Sequence, residues 1–571
     1  MLDASSSVAP PTMKFEPPGP GSWALETTHF HCPMTRFCTE LFPTAFAKGF
    51  AEGTARYGML LDHLRVVPIH GFLYAQAIVV GAPEGATGTP PRLLFQVLTR
   101  LHPTIRRRLR TSEEAFERKL WREDLRRWDE EVKPAAIRAH RVLQAVDPAA
   151  LSVPELAKHL SACRAHLHEM MRVHHSFNMA TGIPVGDFLV HAQEWTGKSV
   201  GELARLFKGS SPLSAPWATA EQQALLGALR ESTEARELLA SRAGARHILD
   251  GLLALPGEAG ARMRAHLDTI GFRSLGYDLS EPFHLEVPEV LVRGIRAAVG
   301  AESLAGSGPD VQHERQVREA VPAPHRQRFE ELLAEARLIY RLRDERATYS
   351  DGWATGLARR AVLAAGARLR EQGKLPEAEL AIDAGCDELV GLLQGNHPPL
   401  AEELSRRARW RKTATAADVP PWLGAPPGEP PPAEWLPARG RRMARATMAV
   451  MRGISETASP NPEPGASVRG LPVSPGIYEG IARIVNENGD LTRIEKGDVL
   501  VARTTSPYFN VVLPLLGAIV TDRGGQLCHA AIITREYGIP GIVGTREATK
   551  VVRDGARVRV DGTTGELKVL S

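Results

Sequence analysis

The stretch of this 571-residue chain whose residue types and spacing could do chemistry is 521–545, TDRGGQLCHAAIITREYGIPGIVGT. A β-branched run, AIVTD, leads into Gly524 and Gly525, which permit a tight turn and a close backbone approach. The helix that follows is predicted to start near Gln526 or Leu527, so His529 falls in or beside its first turn. Free backbone N–H groups and the positive end of the helix dipole meet there and favour an anionic group on the imidazole. A neutral imidazole is a competent nucleophile near neutral pH, and a covalent intermediate divides one hard transfer into two easier ones. Taken alone, a histidine after a glycine pair is a weak signal, better read as a residue that only opens a helix. Thr521, Thr504 and Thr505 stand at predicted strand ends, where their hydroxyls could hydrogen-bond the imidazole or serve as ordinary turn residues. Arg535 lies about one and a half turns beyond His529, so either phosphate contact or a grip on a docking partner is open to it.

The elements that must position these residues follow from the pattern after residue 468. Short β-branched runs broken by glycines, GIARIV, GDVLVAR, LGAIVTD, GIPGIVG and ARVRVDGTTGELKVL, predict strands, and CHAAIITREYG predicts one helix between the third and fourth. Together they predict a small α/β domain of about a hundred residues.

Over its whole length GGQLCHAAIITREYGIPGIVG resembles the phosphohistidine signature of the phosphoenolpyruvate-utilising enzymes, the group of phosphoenolpyruvate synthase, pyruvate phosphate dikinase and rifampin phosphotransferase. Upstream, LPVSPGIYEGIARIV is similar to that family's opening strand, with its Ser-Pro-Gly turn at 474–476. The resemblance covers about 470–571. It implies a swivelling domain in which His529 takes up and hands on a phosphoryl group, supported by Gly524, Gly525, Thr521 and Arg535. Cys528 stands where many members carry Ser or Thr and is read as a small helix-start residue.

Residues from about 40 to 410 read as mostly helical, with apolar residues at three- and four-residue spacing as in EELLAEARLIYRLRDERATY, and alternating strand patterns are scarce. The prolines of TATAADVPPWLGAPPGEPPPAEWL predict an extended surface segment, followed by a short basic helix, ARGRRMARATMAVMRGI, and a second Pro- and Ser-rich linker. The expected architecture is therefore multidomain: a large mainly α-helical body over 1–412, a Pro-rich linker with a short basic helix over 413–467, and a small α/β (β/β/α) swivelling phosphohistidine domain over 468–571.

Neither a Walker-type loop nor the strand alternation of an ATP-grasp domain or a barrel is visible in the body. PGPGSWALETTHFHCPMTR, GFRSLGYDLSEPFHLEVP and RDERATYSDGWATGLARRAVLAAGARLREQGKL resemble the helical substrate-binding region of rifampin phosphotransferase-like proteins. A carrier histidine on a chain without a nucleotide domain also resembles the histidine subunit of phenylphosphate synthase. These likenesses imply an acceptor site in the body and a separate ATP-grasp protein as partner, with ATP and Mg bound there and no cofactor assigned to this chain. A phosphoryl acceptor hydroxyl needs a general base and a cation, and Arg273, His29, His31, His174 and His175 are the candidates.

The net charge of +4 is small, and basic residues lie in mixed-sign stretches such as RRRLRTSEEAFERKLWREDLRRWDEE, which reads as a solvated helix face rather than a nucleic-acid surface. No apolar run is long enough for a membrane span and the N-terminus lacks a signal-peptide layout, so a cytoplasmic location is expected. The five cysteines form no CxxC pair, and the spacing of His29, His31, Cys32 and Cys38 fits no common zinc pattern, so no metal is expected. The function expected is phosphoryl transfer from His529 to a hydroxyl of a small, aromatic or polycyclic acceptor. The alternatives are a regulatory module whose phosphohistidine is the signal, and a phosphorylation that precedes dehydration.

Overall fold

Alternation of β-branched and glycine residues beyond 467 produces the eight-stranded sheet of the C-terminal domain. A computed structural model describes residues 13–27, 29–214, 217–300, 310–396, 399–455, 467–485, 488–505, 509–510 and 512–570. The expected second linker, 456–466, lies outside them. Internal contacts group the chain into two units: unit 1 comprises 1–180, 277–280 and 349–444, and unit 2 comprises 181–276, 281–348 and 445–571.

Unit 1 is built on long helices, among them Phe42–Arg56, Val153–Ser176 and Asp351–Glu371. It also holds a four-stranded sheet that the helical reading of 40–410 did not anticipate: β1 (Ser22–Leu25), β2 (Leu61–Ile69), β3 (Phe72–Val79) and β4 (Trp422–Gly424), in the order β2-β3-β1-β4. β2 escapes the pattern because nearly all its side chains are half-buried, so no in–out alternation is written into it. The hairpin turn is marked instead by His70 and Gly71, both with positive φ (50° and 87°), as a two-residue turn of the primed type demands. β4 lies within the proline-rich segment expected to run over the surface. It pairs with β1 and buries Leu423 against Trp23, Phe72 and Tyr74, while the flanking Pro420 and Pro421 offer only carbonyls, to the Tyr74 hydroxyl and the Leu25 N–H. Prolines are tolerated here because the short strand forms an edge of the sheet.

Unit 2 contains the C-terminal domain, with β5 (Ser467–Arg469), β6 (Leu471–Ser474), β7 (Ile477–Val485), β8 (Asp498–Ala502), β9 (Leu516–Thr521), β10 (Gly541–Val543), β11 (Arg557–Asp561) and β12 (Glu566–Val569). Their order is β5-β12-β11-β7-β8-β9-β10-β6, with β7 through β10 parallel. The helix His529–Tyr537 connects β9 to β10. One face of the sheet packs on Ala530, Ala531 and Ile533 of this helix and on Val290 of the helix Pro288–Val299. Arg293 of the latter donates to the carbonyls of Thr492 (2.9 Å) and Ile494. A separate core of Leu225, Ile248, Leu252, Met263 and Ile295 holds the helices between 220 and 299 together. Among the described residues no helix is long and apolar enough to cross a membrane.

Candidate active site

β9 ends at the fully buried Thr521, and the chain then turns through Gly524 and Gly525 before the helix begins. Gly524 has φ +107°, and a Cβ placed on it would lie 2.6 Å from the Cys528 Sγ, so this turn admits only glycine. The turn is anchored by the basic helix Ala438–Ser455, whose last carbonyls accept from it: Ile454 from the Gly525 N–H at 2.8 Å and Gly453 from the Leu527 N–H at 2.7 Å. Gly524→Ala is expected to cost about 1–3 kcal/mol through backbone strain and the clash with Cys528, measurable as a lower urea midpoint.

The helix starts two to three residues later than the sequence suggested: Cys528 is its N-cap and His529 its first residue. This places the imidazole directly at the free N–H groups of the first turn. His529 is 8% exposed; its Nδ1 lies 3.0 Å from the Thr505 Oγ1, and its Nε2 is buried without a hydrogen-bond partner among the described residues. Of the three candidate threonines it is thus Thr505 that touches the ring. Thr521 instead donates to the Arg523 carbonyl at 2.8 Å and braces the turn. With its proton on Nδ1 and donated to Thr505, the ring keeps the Nε2 lone pair for nucleophilic attack.

Burial pushes the His529 pKa down to about 4; the Asp344 carboxylate opposes this shift and the Arg343 guanidinium adds to it. Arg343 also donates to the Leu527 carbonyl, while the Asp344 carboxylate accepts from the hydroxyls of Ser211 and Ser214. Arg343 therefore supplies a cation beside the imidazole, and among the described residues Arg535 shows no contact with the His529 ring. Arg535 reaches back along its own helix to the Gln526 carbonyl at 2.9 Å and holds the turn before His529. Neighbouring Glu536, 1% exposed, accepts from the Gly209 N–H at 2.9 and 3.0 Å, and burial raises its pKa to about 7. Burial raises the Cys528 thiol pKa, which keeps the thiol protonated and makes it a poor nucleophile.

The acceptor candidates separate into two groups. Arg273 belongs to unit 2, where it is buried and its carbonyl accepts from the His284 N–H at 3.1 Å and from His284 Nδ1 at 2.8 Å. Burial, together with the Arg273 charge, pushes His266 and His284 down to about 4. The four histidines belong to unit 1. His29 is exposed, lies 3.3 Å from a Glu26 oxygen and meets Tyr277 edge-to-face at 5.3 Å. His31 contributes its carbonyl to the Ala416 N–H. His174 is buried with its Nδ1 2.7 Å from an Asp351 carboxylate oxygen, and His175 stands edge-on to Phe46 at 4.4 Å. Phe42, Phe46 and Phe50 stack at 5.2 and 5.6 Å along one half-buried helix face, beside His175. Their i, i+4, i+8 spacing was legible in the sequence, whereas the pairing of Asp351 with His174, 177 residues apart, was not. Among the described residues no group of three His, Cys, Asp or Glu side chains is arranged to hold a metal ion.

Residues 494–565, which hold most of this parallel-stranded domain and the histidine at the start of the helix after β9, match the family model described as PEP-utilising enzyme, mobile domain. Relatives extend the likeness. A probable phosphoenolpyruvate synthase of Archaeoglobus fulgidus is 37% identical over 144 residues, 24% of this chain and 19% of that protein. The rifampicin phosphotransferase of Streptomyces sviceus is 29% identical over 356 residues, 57% of this chain and 36% of that protein. The phosphoenolpyruvate synthase of Aeropyrum pernix is 48% identical over 107 residues, 18% of this chain and 13% of that protein. The chain thus spans 36% or less of the length of each of these relatives.

Proposed function

We propose that this chain is the carrier and acceptor part of a phosphotransferase. The observation that carries the reading is the buried, neutral His529 at a helix N-terminus, with Nδ1 held by Thr505 and Nε2 without a partner among the described residues. In the first half-reaction Nε2 attacks a donor phosphorus; a P–N bond forms as the donor P–O bond breaks, and the donor leaves with its electron pair. In the second, an acceptor hydroxyl oxygen attacks the same phosphorus, the P–N bond breaks, and the hydroxyl proton passes to a base. Arg343 is suited to neutralise charge on the transferring group. The donor is assigned to an ATP-grasp protein holding ATP and Mg, a reading supported by the likeness of 494–565 to the mobile domain of PEP-utilising enzymes.

For the acceptor, the reading is a hydroxyl on a flat apolar molecule. The Phe42–Phe46–Phe50 ladder offers an aromatic surface, and His174, hydrogen-bonded to Asp351, is suited to act as the base. The names of the rifampicin phosphotransferase relatives are consistent with a polycyclic acceptor.

The test is a chase of labelled protein with a panel of hydroxylated aromatic compounds. One or more should remove label from His529 and emerge phosphorylated; discharge to water alone, across the panel, would favour a regulatory module. His174→Ala is expected to slow discharge to the acceptor about a hundredfold or more while uptake stays intact. Arg343→Ala should slow transfer through His529 by roughly tenfold to a thousandfold, because the cation it removes lies beside the imidazole in this structure. Single-turnover rates of uptake and discharge separate the two patterns.

A further inference from the structure

The helix Ala401–Thr413 presents Arg406, Trp410 and Arg411 to a cavity of about 410 Å³ in unit 1, lined also by Arg36, Glu40 and Asp383. That volume falls in the range of roughly 300–1,000 Å³ typical of small-molecule sites. The carboxylates orient these guanidinium groups without using them up. Asp383, 3% exposed, takes Arg411 through Nε at 2.7 Å and Nη2 at 3.0 Å; Glu403 takes Arg406 through Nε at 3.0 Å and through Nη2; Glu40 takes Arg36 through Nε at 3.1 Å. The Nη1 groups of Arg406 and Arg411 and both Nη groups of Arg36 find no acceptor among the described residues. Trp410 is fixed by its N–H bond to the His70 carbonyl at 2.8 Å and by an edge-to-face contact with Phe72.

The cavity therefore offers surplus donors and a rigid indole. Arg407, the fourth lining arginine, is consumed by Glu388 and Glu403, so four arginines face four carboxylates and the site is close to neutral. It selects through donor geometry rather than through a positive field.

We infer that unit 1 carries a small-molecule site, distinct from His529, for a flat aromatic acid. The carboxylate bonds to the free Nη groups of Arg36, Arg406 and Arg411, and the ring packs on Trp410.

Titration calorimetry on the full chain tests this with indole-3-acetate, which has both features, and with tryptamine, in which an ammonium replaces the carboxylate. The expected result is one site for indole-3-acetate and none for tryptamine. Arg36→Gln and Arg406→Gln should each weaken binding about tenfold, the loss of one charge-assisted hydrogen bond. Both side chains are more than half exposed, 51% and 66%, so the variants keep the wild-type melting temperature. The His529→Ala protein should bind as the wild type does, which separates this site from phosphoryl transfer. Equal affinity for tryptamine, unchanged affinity in the Arg36→Gln/Arg406→Gln double variant, or no binding of indole-3-acetate or 3-hydroxybenzoate at millimolar concentration would each overturn the inference.

Discussion

His529→Ala is expected to reduce acid-labile, base-stable phosphoryl incorporation to background, a loss of at least about a thousandfold, when the protein is mixed with an ATP-grasp partner and ATP labelled in either the β- or the γ-phosphate. The effect is this large because no neighbour can stand in for the imidazole. Cys528, next in sequence, is held as a thiol by burial, and Arg343 and Arg535 are not nucleophiles. His174→Ala should incorporate as much label as the wild type, which guards against a general loss of fold. Running both label positions in parallel identifies the donor route: β-label alone marks a dikinase-like transfer. Undiminished labelling of the alanine variant would place the carrier elsewhere and remove the basis of the proposed function.

The second large effect is a crossing pair of pH dependences within unit 2. Burial holds His529 near pKa 4 in the folded protein against about 6.5 in the unfolded chain, so the folded state binds this proton later. The stability associated with neutral His529 is present above pH 6.5 and is lost as the pH falls from 6.5 towards 4, by about 3 kcal/mol in all. Glu536 runs the other way. Its folded pKa, raised to about 7, means that the protonated carboxyl is favoured; its contribution is present below the unfolded value near 4.5 and is lost as the pH rises through 7, again by roughly 3 kcal/mol. In the wild type the two limbs largely offset each other. Single variants expose them: relative to wild type, His529→Gln should gain stability on going from about pH 7 to pH 4, and Glu536→Gln should gain it on going from about pH 4.5 to pH 8. Half-buried His266 and His284, also held near 4, add an acid loss of their own that both variants retain. Urea midpoints across this range provide the measurement. Parallel pH profiles of wild type and His529→Gln would mean that His529 is not buried in the folded protein.

An imidazole with a pKa near 4 is almost wholly neutral throughout the physiological range, so under the proposed function phosphoryl uptake would need no further deprotonating step.

Much of the C-terminal domain was legible in the residues themselves. Strand runs such as DVLVA and LGAIVT are short, β-branched and bounded by glycines, and a parallel strand buried on both faces reads as a continuous apolar run. Local backbone need likewise determined the glycine turn and the helix-start position of His529, since Gly524 at φ +107° admits no side chain. The hairpin β2–β3 was not legible, because half-burial on both faces erased the alternation that betrays a strand, and the strand within the proline-rich segment was hidden by residues that usually forbid one.

The ionic surroundings of His529 were decided by tertiary structure alone. Arg343 and Asp344 lie more than 180 residues from it, on a helix whose sequence shows only an ordinary charged face. Arg535, six residues away and the natural candidate from sequence, turns instead to the Gln526 carbonyl. The same holds for the Asp351–His174 pair and for the surplus guanidinium groups around Trp410. Sequence spacing fixes which side chains share a helix face, whereas burial, and with it the pKa of His529, depends on which distant surface that face meets.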